Sequence, residues 1–323
     1  MKEQTRNRKV GLLAFVLVII AIFTYMVVTN SNNHNFNQEK DDNTTQVPVE
    51  EIKEEVEVVT FSPDELYSSN AILFNLGKGT VLMAKNIKDK IYPASLTKIM
   101  TAIVAIENLP DLNEEFILTN SVFSGLYEAG AAMAGFVPGE KVRAIDLLYG
   151  TLLRSGAESC VGIAHLVAGS EEEYTKLMNE KARELKMLNT HFNNTTGLHD
   201  DNHYTTIEDL TILIKYALKN VTFREMFTSS KYLIPPTNKY PNGRTISNTM
   251  FNHLDSQNLD NGEIIGGKTG FTDEAGLCLA SLAKIDDREY VLITVGAKGN
   301  TRTEQYNVTD ALNVYSSIEI KLE

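Results

Sequence analysis

Two serine–lysine pairs have the Ser-x-x-Lys spacing that can support nucleophilic catalysis: Ser95 with Lys98, and Ser281 with Lys284. A serine hydroxyl is a weak nucleophile until a base removes its proton, and a lysine can serve when burial or a second cation lowers its pKa. Residues three apart share one face of a helix but point to opposite faces of a strand. The periodicity predicts a helix over 95–109 but a strand over 277–284. Ser95 is therefore the better candidate nucleophile, with an ordinary helix N-cap as the alternative interpretation.

A glycine-rich segment, Gly-Gly-Lys-Thr-Gly at positions 266–270, precedes the strand predicted from Leu277. Glycines let a substrate approach the backbone closely. Lys268 supplies a cation and Thr269 supplies a hydroxyl that could bind a carboxylate. The segment is thus a second candidate for contact with a substrate.

The elements that must position these residues are strands at both ends of the domain with helices between them. Residues 71–76 and 80–85 flank Gly77-Lys78-Gly79 and predict a β-hairpin, and residues 277–284 and 290–297 flank a turn at Asp286-Asp287. Helices are predicted over 95–109, twice within 144–168 with a break near Ser155-Gly156, and over 174–188, 207–219 and 310–322. This order predicts an α+β fold, with an antiparallel sheet built from both ends of the domain and flanked by helices.

Charge and cysteine content exclude several classes of protein. The formal net charge is −12, from 42 Asp and Glu against 30 Lys and Arg. We expect no nucleic-acid partner, because such partners are bound by neutralising phosphates. Cys160 and Cys278 are too few for a disulfide framework and match no zinc motif. They could pair if the helix after Ser155 packs on the strand after Lys268, but two buried thiols are the favoured state.

The N-terminal region carries a candidate membrane segment. Residues 10–28 are a charge-free apolar run of 19 residues. As a helix this run would span about 28 Å, close to the roughly 30 Å hydrocarbon core of a bilayer. Arg6, Arg8 and Lys9 precede it, which predicts a cytoplasmic N-terminus. A cleaved signal peptide is the alternative, although its apolar region is usually shorter, roughly 7–15 residues.

Residues 30–59 are rich in asparagine and then acidic, so they cannot bury enough apolar surface to fold and predict a solvated tether. We therefore expect four parts in an anchored, single-pass membrane protein. These are a cytoplasmic tail (1–9), a transmembrane anchor (10–29), an acidic flexible linker (30–59) and an exported domain (60–323) on the extracytoplasmic face.

Three motifs, in order along the chain, together resemble those of the penicillin-binding serine peptidases: Ser95-x-x-Lys98, Ser155-Gly156-Ala157 and Lys268-Thr269-Gly270. Within that group the chain is most similar to the low-molecular-mass D-alanyl-D-alanine carboxypeptidases. The resemblance covers the region 60–315 and includes the segments 138–140, 146–150, 178–179, 185–187, 190–193, 196–198 and 209–210. It implies a β-lactamase/D,D-peptidase-like fold with a helical subdomain, and a catalytic domain over 60–323.

The resemblance also implies catalytic roles. Ser95 would be the acylated nucleophile, Lys98 the base that deprotonates it, and Ser155 the relay that gives a proton to the departing D-alanine. The backbone N–H groups of Ser95 and Phe271 would form an oxyanion hole.

The same resemblance implies a substrate-binding strand. Lys268 would supply the electrostatics, and Thr269 would bind the terminal carboxylate of the substrate, with Gly270 and Phe271 beside it. Arg302 is a candidate second partner for that carboxylate, and a solvated surface arginine is the alternative.

The function implied is removal of the terminal D-alanine from peptidoglycan peptides ending in D-Ala-D-Ala, with β-lactams as covalent inhibitors and no metal or cofactor. One departure concerns Ala157, which stands where the family usually has asparagine. The missing amide puts turnover rate or substrate shape in question, and leaves open a sensor that β-lactams acylate without turnover.

Two further enzymes are weaker alternatives. A β-lactamase needs a base to hydrolyse its acyl-enzyme, yet the Glu-x-x-x-Asn spacing occurs only before residue 60. A zinc peptidase could draw on His191, His199, Asp200 and His203. However, the Glu-x-x-His element expected of that class is missing from the sequence.

Overall fold

Twelve strands and seven helices are found in the computed structural model, which describes residues 55–322. The strands are β1 (Glu55–Val59), β2 (Asn70–Asn75), β3 (Val81–Lys85), β4 (Glu115–Ile117), β5 (Lys141–Arg143), β6 (Lys231–Ile234), β7 (Arg244–Ser247), β8 (Asn258–Leu259), β9 (Gly262–Thr272), β10 (Gly276–Ile285), β11 (Arg288–Ala297) and β12 (Ile318–Leu322). The helices are α1 (Thr97–Asn108), α2 (Ala144–Leu153), α3 (Ala157–Ala168), α4 (Glu171–Glu184), α5 (Ile207–Ala217), α6 (Val221–Thr228) and α7 (Tyr306–Ser316).

The central sheet is antiparallel and has the strand order β3-β2-β11-β10-β9-β8. Strands β2 and β3 come from the start of the domain and β8 to β11 from its end, as the sequence predicts. The turn between β10 and β11 consists of Asp286 and Asp287, whose φ angles are +45° and +61°. Two successive positive φ angles are typical of the two-residue turn whose twist matches paired strands.

Side chains alternate between the two faces of the sheet, so the fold has two cores. Ile72 and Phe74 of β2 belong to the core formed with helices α1 to α6. Leu73 of the same strand belongs to the second core, together with Val314 and Tyr315 of α7. Helix α1 is apolar on nearly all sides, and every residue from Thr97 to Ala105 is buried. A helix of that kind lies inside the core, and α1 contacts each of helices α2 to α6.

The structure differs from the sequence predictions at both ends of the domain. The last five residues of the predicted linker form β1, which pairs with β12. Glu57, buried in β1, forms ion pairs with Lys78 and Arg288, each at 3.2 Å. The boundary between linker and domain therefore lies earlier than the acidic composition predicts, because cations far along the chain form ion pairs with the carboxylates of β1. The helix predicted over 310–322 was also wrong at its end, since α7 stops at Ser316 and β12 follows.

The predicted tail, the predicted anchor and most of the predicted linker lie outside the described residues. Within residues 55–322, no helix combines the length and apolar character needed to cross a membrane.

Candidate active site

Ser95 lies in a 3-10 turn, Ala94–Leu96, that leads directly into α1. Strand β9 passes close to this turn at Gly270. A Cβ atom at Gly270 would lie 3.0 Å from the backbone nitrogen of Ser95 and 3.3 Å from the Cβ of Ala94. The absence of a side chain at Gly270 thus allows the glycine-rich strand to approach the candidate nucleophile.

Lys98 lies in the first turn of α1, three residues after Ser95. Its Nζ is 3.1 Å from the Ser95 Oγ and also donates to the carbonyl oxygen of Thr196. Burial lowers the pKa of Lys98, and the charges of Cys160, Glu158 and Glu171 oppose that shift to a smaller extent. Lowering the pKa of a lysine makes its neutral form more accessible, and the neutral amine can accept the hydroxyl proton of the serine beside it.

A second serine–lysine pair faces the first. Lys268 on β9 is buried, and its Nζ donates to the Ser155 Oγ at 3.0 Å and to the Thr269 carbonyl at 2.6 Å. Burial lowers the pKa of Lys268 well below its ordinary value, and the charge of Lys98 lowers it further. Ser155 lies between α2 and α3 with φ +60°, a region that non-glycine residues seldom occupy. Lys98 and Lys268 thus each contact a serine hydroxyl and a backbone carbonyl, and the two serines line the same cleft.

A cleft of about 220 Å³ opens above these hydroxyls. Thr269 lines it, and the Thr269 Oγ1 is 2.9 Å from the Thr249 Oγ1. The strand side of the cleft continues with Gly270 and Phe271, which pair with Cys278 and Leu277 of β10. The full lining consists of Ser95, Ala132, Arg154, Ser155, Thr249, His253, Thr269, Gly270, Phe271, Leu277, Thr301, Gln305 and Asn307.

Arg302 is not among the residues that line the cleft. It is exposed, and its backbone N–H donates to the Asn300 side chain at 2.9 Å. Its neighbour Thr301 lines the cleft, and the basic residues among those that line it are Arg154 and His253. Neither of these two residues was singled out from the sequence.

Ala157 begins α3, and its backbone N–H donates to the Ala132 carbonyl at 2.8 Å. The next residue, Glu158, is buried. Its Oε1 accepts from three successive backbone N–H groups, those of Ala134 at 2.7 Å, Gly135 at 2.9 Å and Phe136 at 3.1 Å. Burial raises the pKa of Glu158, and these hydrogen bonds oppose the rise. Glu158 therefore holds the chain that contributes Ala132 to the cleft.

Two of the three histidines of the zinc alternative, His191 and His203, form hydrogen bonds within the protein, whereas His199 lies 3.6 Å from the Asp201 carboxylate and 3.7 Å from the Glu274 carboxylate. The Nδ1 of His203 accepts from the Asn193 N–H at 3.0 Å, and the Nδ1 of His191 is 2.5 Å from the Asn202 carbonyl. In the region 55–322, no three His, Cys, Asp or Glu side chains are grouped so that they could hold a metal ion.

Cys160 and Cys278 are both buried free thiols, so the prediction of two thiols is confirmed and the alternative of a disulfide is wrong. The Cys160 Sγ lies 3.1 Å from the Gly156 carbonyl, and burial raises the pKa of Cys278 to about 12.

The glycine-rich segment also has the spacing of a nucleotide-binding P-loop, from Gly262 to Thr269 (Gly-x-x-x-x-Gly-Lys-Thr). A P-loop is a turn between a strand and a helix, whose N–H groups surround a phosphate. Here the whole segment lies within β9 and pairs with β10, so those N–H groups belong to a sheet. The structure therefore excludes a P-loop at this position.

The fold and the site together define a serine acyl-transfer class, with a nucleophile at a helix start, a buried lysine beside it and a second serine–lysine pair across the cleft. A family profile described as D-alanyl-D-alanine carboxypeptidase matches residues 57–299. The chain belongs to this family, peptidase family S11. The family resemblance drawn from the three motifs is thereby confirmed.

Among individual proteins, the chain is 32% identical to the D-alanyl-D-alanine carboxypeptidase DacF of Bacillus subtilis, over 71% of this chain and 57% of that protein. It is 31% identical to DacC of Escherichia coli, over 70% of this chain and 56% of that protein. The chain thus spans less than two thirds of the length of these relatives.

Solved structures show the same fold. The Streptomyces K15 DD-transpeptidase superposes with a TM-score of 0.69 at 25% identity, covering 80% of this chain and 98% of that one. A D-alanyl-D-alanine carboxypeptidase from Mycobacterium tuberculosis superposes with a TM-score of 0.66 at 24% identity, over 80% of this chain and 91% of that one. The predicted α+β fold of the D,D-peptidase type is therefore confirmed.

Proposed function

We propose that this protein is a serine D-alanyl-D-alanine carboxypeptidase. It removes the terminal D-alanine from peptidoglycan peptides that end in D-Ala-D-Ala. The observation that carries the proposal is the Ser95–Lys98 pair at the start of α1, with Nζ and Oγ 3.1 Å apart and the lysine buried. Membership of the carboxypeptidase family supports the choice of substrate.

The first half of the reaction is acylation. Neutral Lys98 accepts the proton of the Ser95 hydroxyl, and the Ser95 Oγ attacks the carbonyl carbon of the penultimate D-alanine. The negative charge that develops on the carbonyl oxygen meets the backbone N–H groups of Ser95 and Phe271, each donor being worth about 3–4 kcal/mol. The C–N bond then breaks, and D-alanine leaves with a proton from Ser155, which is replaced by the proton that Lys98 accepted.

The second half is deacylation. A water molecule attacks the Ser95 ester while Lys98 accepts one of its protons, the bond between the acyl carbon and the Ser95 Oγ breaks, and the shortened peptide leaves as a carboxylate whose acid proton passes to solvent. Ser95 regains its proton, so the site returns to its starting state. Ser155 is suited to its relay because the Lys268 Nζ holds its oxygen at 3.0 Å.

The terminal carboxylate of the substrate needs donors at the far end of the cleft. The hydroxyls of Thr269 and Thr249, 2.9 Å apart, supply two, and Arg154 supplies a cation on the same lining. Arg154 is better placed for this role than Arg302, because it lines the cleft. β-Lactams would enter the same cleft, since opening of their ring by Ser95 gives an ester whose leaving group stays attached.

We further propose that the protein is membrane-anchored through residues 10–29, with the catalytic domain on the extracytoplasmic face. The support is the charge-free apolar run after Arg6, Arg8 and Lys9. Partition of the full-length chain into the detergent phase, lost on deletion of residues 1–29, would test the anchor. Recovery of the untruncated chain in the aqueous phase would contradict it.

The activity is tested by D-alanine release from a Lys-D-Ala-D-Ala peptide, comparing the full-length chain in detergent micelles with its Ser95→Ala variant. We expect release by the native chain alone. Release that persists in Ser95→Ala would remove Ser95 as the nucleophile.

A β-lactam sensor that is acylated without turnover is the second candidate function. The observation that favours it is Ala157, because an aliphatic residue here offers no side-chain amide to a substrate. Labelling by a fluorescent penicillin without any D-alanine release would support the sensor over the carboxypeptidase.

A further inference from the structure

The residue before the candidate nucleophile, Ala94, is held in a strained conformation. Its φ is +45°, in the left-handed region that non-glycine residues seldom occupy. Such a conformation persists only where neighbouring groups hold it. At Ala94, the neighbouring groups act on the carbonyl oxygen.

Three groups converge on that oxygen. The backbone N–H of Thr97 donates to it, and the Thr97 Oγ1 donates to it at 2.8 Å. Gly197 lies against it so closely that a Cβ there would be 1.8 Å from the oxygen. Rotation of the Ala94–Ser95 peptide would therefore break both hydrogen bonds to the Ala94 carbonyl, and the backbone at Gly197 leaves little room for it.

His203 determines to which acceptor the Thr97 hydroxyl donates its proton. The Nδ1 of His203 accepts from the backbone N–H groups of Asn193 at 3.0 Å and Asn194 at 3.3 Å. Backbone N–H groups can only donate, so Nδ1 is unprotonated and the neutral ring carries its proton on Nε2. The Nε2 is 2.8 Å from the Thr97 Oγ1, so it donates there, and the hydroxyl proton is left to donate to Ala94.

Burial of His203 supports this arrangement. The side chain is almost wholly buried, and its ring packs edge-on against Phe192. Burial lowers the pKa of His203 to about 4, so the ring is neutral at physiological pH.

The direction of the Ala94 carbonyl matters because the C=O and N–H of a trans peptide point in opposite directions. Fixing the carbonyl of Ala94 fixes the N–H of Ser95, which is directed away from Thr97 and Gly197. Gly270, on the cleft side, leaves room beside that nitrogen. The proposed function uses this N–H as an oxyanion donor.

We propose that His203 is a positioning residue which, through the Thr97 hydroxyl, holds the Ala94–Ser95 peptide so that the Ser95 N–H faces the oxyanion. This inference rests on the proposed function. It assigns to His203 a part in acylation, although the side chain itself does not contact the substrate.

Two substitutions at His203 separate this role from a structural one. In His203→Gln the amide nitrogen can occupy the place of Nε2 and donate to Thr97. In His203→Asn the shorter amide reaches only the place of Nδ1, where it accepts from the backbone. Both variants lose the ring that packs on Phe192, so they are expected to lose similar thermal stability.

The measurement is the second-order rate of acylation by a fluorescent penicillin, with Tm measured beside it. We expect His203→Asn to lower the rate about 10- to 100-fold, less than the full loss of an oxyanion donor, and His203→Gln to recover most of that loss. His165→Asn, the same change on α3 outside the cleft, serves as the matched control and should leave the rate unchanged. Equal rates in the Asn and Gln variants, or rates that follow Tm, would overturn the inference.

Substitution of Thr97 gives a second test that does not depend on His203 variants folding. Thr97→Val removes the hydroxyl at nearly constant shape, and Thr97→Ser retains it. The valine variant should be acylated about 10- to 100-fold more slowly than the serine variant. Similar rates would overturn the inference, whereas a native chain that is not acylated at all would instead contradict the proposed function.

Discussion

The pattern Ser-x-x-Lys occurs twice in this chain, and the two copies lie in opposite environments. In the first, the Nζ of Lys98 at the start of α1 lies 3.1 Å from the Oγ of Ser95 in the preceding 3-10 turn. In the second, Ser281 is buried within β10 and its Oγ is 3.0 Å from the Tyr315 hydroxyl. Lys284 lies on the other face of that strand and forms an ion pair with Asp287 at 2.7 Å. The same four-residue spacing thus brings serine and lysine side by side at the start of a helix and separates them on a strand.

The partners of the two lysines explain why Lys98 is the better candidate for a base. Lys98 contacts a hydroxyl and a carbonyl, which do not offset the loss of hydration, so burial lowers its pKa. Lys284 is exposed, and its hydrogen bond to Asp287 raises its pKa. A buried lysine beside neutral oxygens tends to lose its proton, whereas an exposed lysine beside a carboxylate keeps it.

The largest expected effect is on acylation. Lys98→Met removes the proposed base and should lower the rate of acylation by a fluorescent penicillin about 10²- to 10⁴-fold. The fold should persist, because methionine fills the same buried space without a charge to desolvate. Lys284→Met, the matched change in the second copy, should be acylated at the native rate. Normal labelling of Lys98→Met would show that another group deprotonates Ser95.

The pH dependence of acylation should follow the protonation of Lys98. Because the neutral amine is the reactive form, the rate should rise as pH increases through the lowered pKa of folded Lys98, which lies below 10.5. A pH series of acylation rates tests this. A rate that fell over that range would be inconsistent with a lysine base.

Stability should respond to pH with opposite signs at the two lysines. Between the lowered pKa of folded Lys98 and 10.5, the unfolded chain binds a proton that the folded chain has lost, so Lys98 adds stability as pH rises. Lys284 has a raised pKa, so its contribution is present below 10.5 and is lost as pH rises through the folded value. Urea unfolding of each methionine variant against the native chain, at several pH values, measures both signs. If the free energy of unfolding of the two variants, relative to the native chain, changed with pH in the same direction, the opposite signs expected for Lys98 and Lys284 would be contradicted.

Periodicity in the sequence was sufficient to tell the two copies apart, because a helix over 95–109 and a strand over 277–284 place residues three apart differently. It could not reveal the groups that support Ser95 and Lys98. Thr196, whose carbonyl accepts from Lys98, is 98 residues away from it, and His203 is 106 residues from Thr97. Such contacts arise from tertiary packing and leave no local pattern.

The role of Glu158 was equally hidden, since its partners are backbone N–H groups of residues 134–136, which any sequence provides. Composition was misleading at β1, where Glu57 is neutralised by cations elsewhere in the fold. The Gly-x-x-x-x-Gly-Lys-Thr spacing at β9 does not by itself indicate a P-loop, because the segment lies within a strand. In each case, the missing information was which distant residues the fold brings together.

A smaller effect is expected at the second serine. Ser281→Ala removes the hydroxyl that is 3.0 Å from the Tyr315 hydroxyl and 3.4 Å from the Leu292 carbonyl, in a buried position. The free energy of unfolding should fall by about 1 kcal/mol, the usual worth of a buried hydrogen bond. Urea unfolding measures this loss, and penicillin acylation should stay at the native rate. A large loss of acylation would mean that the second copy supports the site in a way that its position in the sheet does not suggest.

The smallest effect should come from Lys284. Its ion pair with Asp287 is exposed to water, and pairs of that kind contribute little because solvent and salt screen them. Lys284→Met should therefore leave both the acylation rate and the urea midpoint at neutral pH close to native values. Lys284→Gln, which keeps a polar side chain, separates the loss of charge from the addition of an exposed apolar group. If both variants lowered the midpoint alike, the Lys284–Asp287 pair would be holding the β10–β11 turn, and charge rather than the two positive φ angles would account for the tightness of that turn.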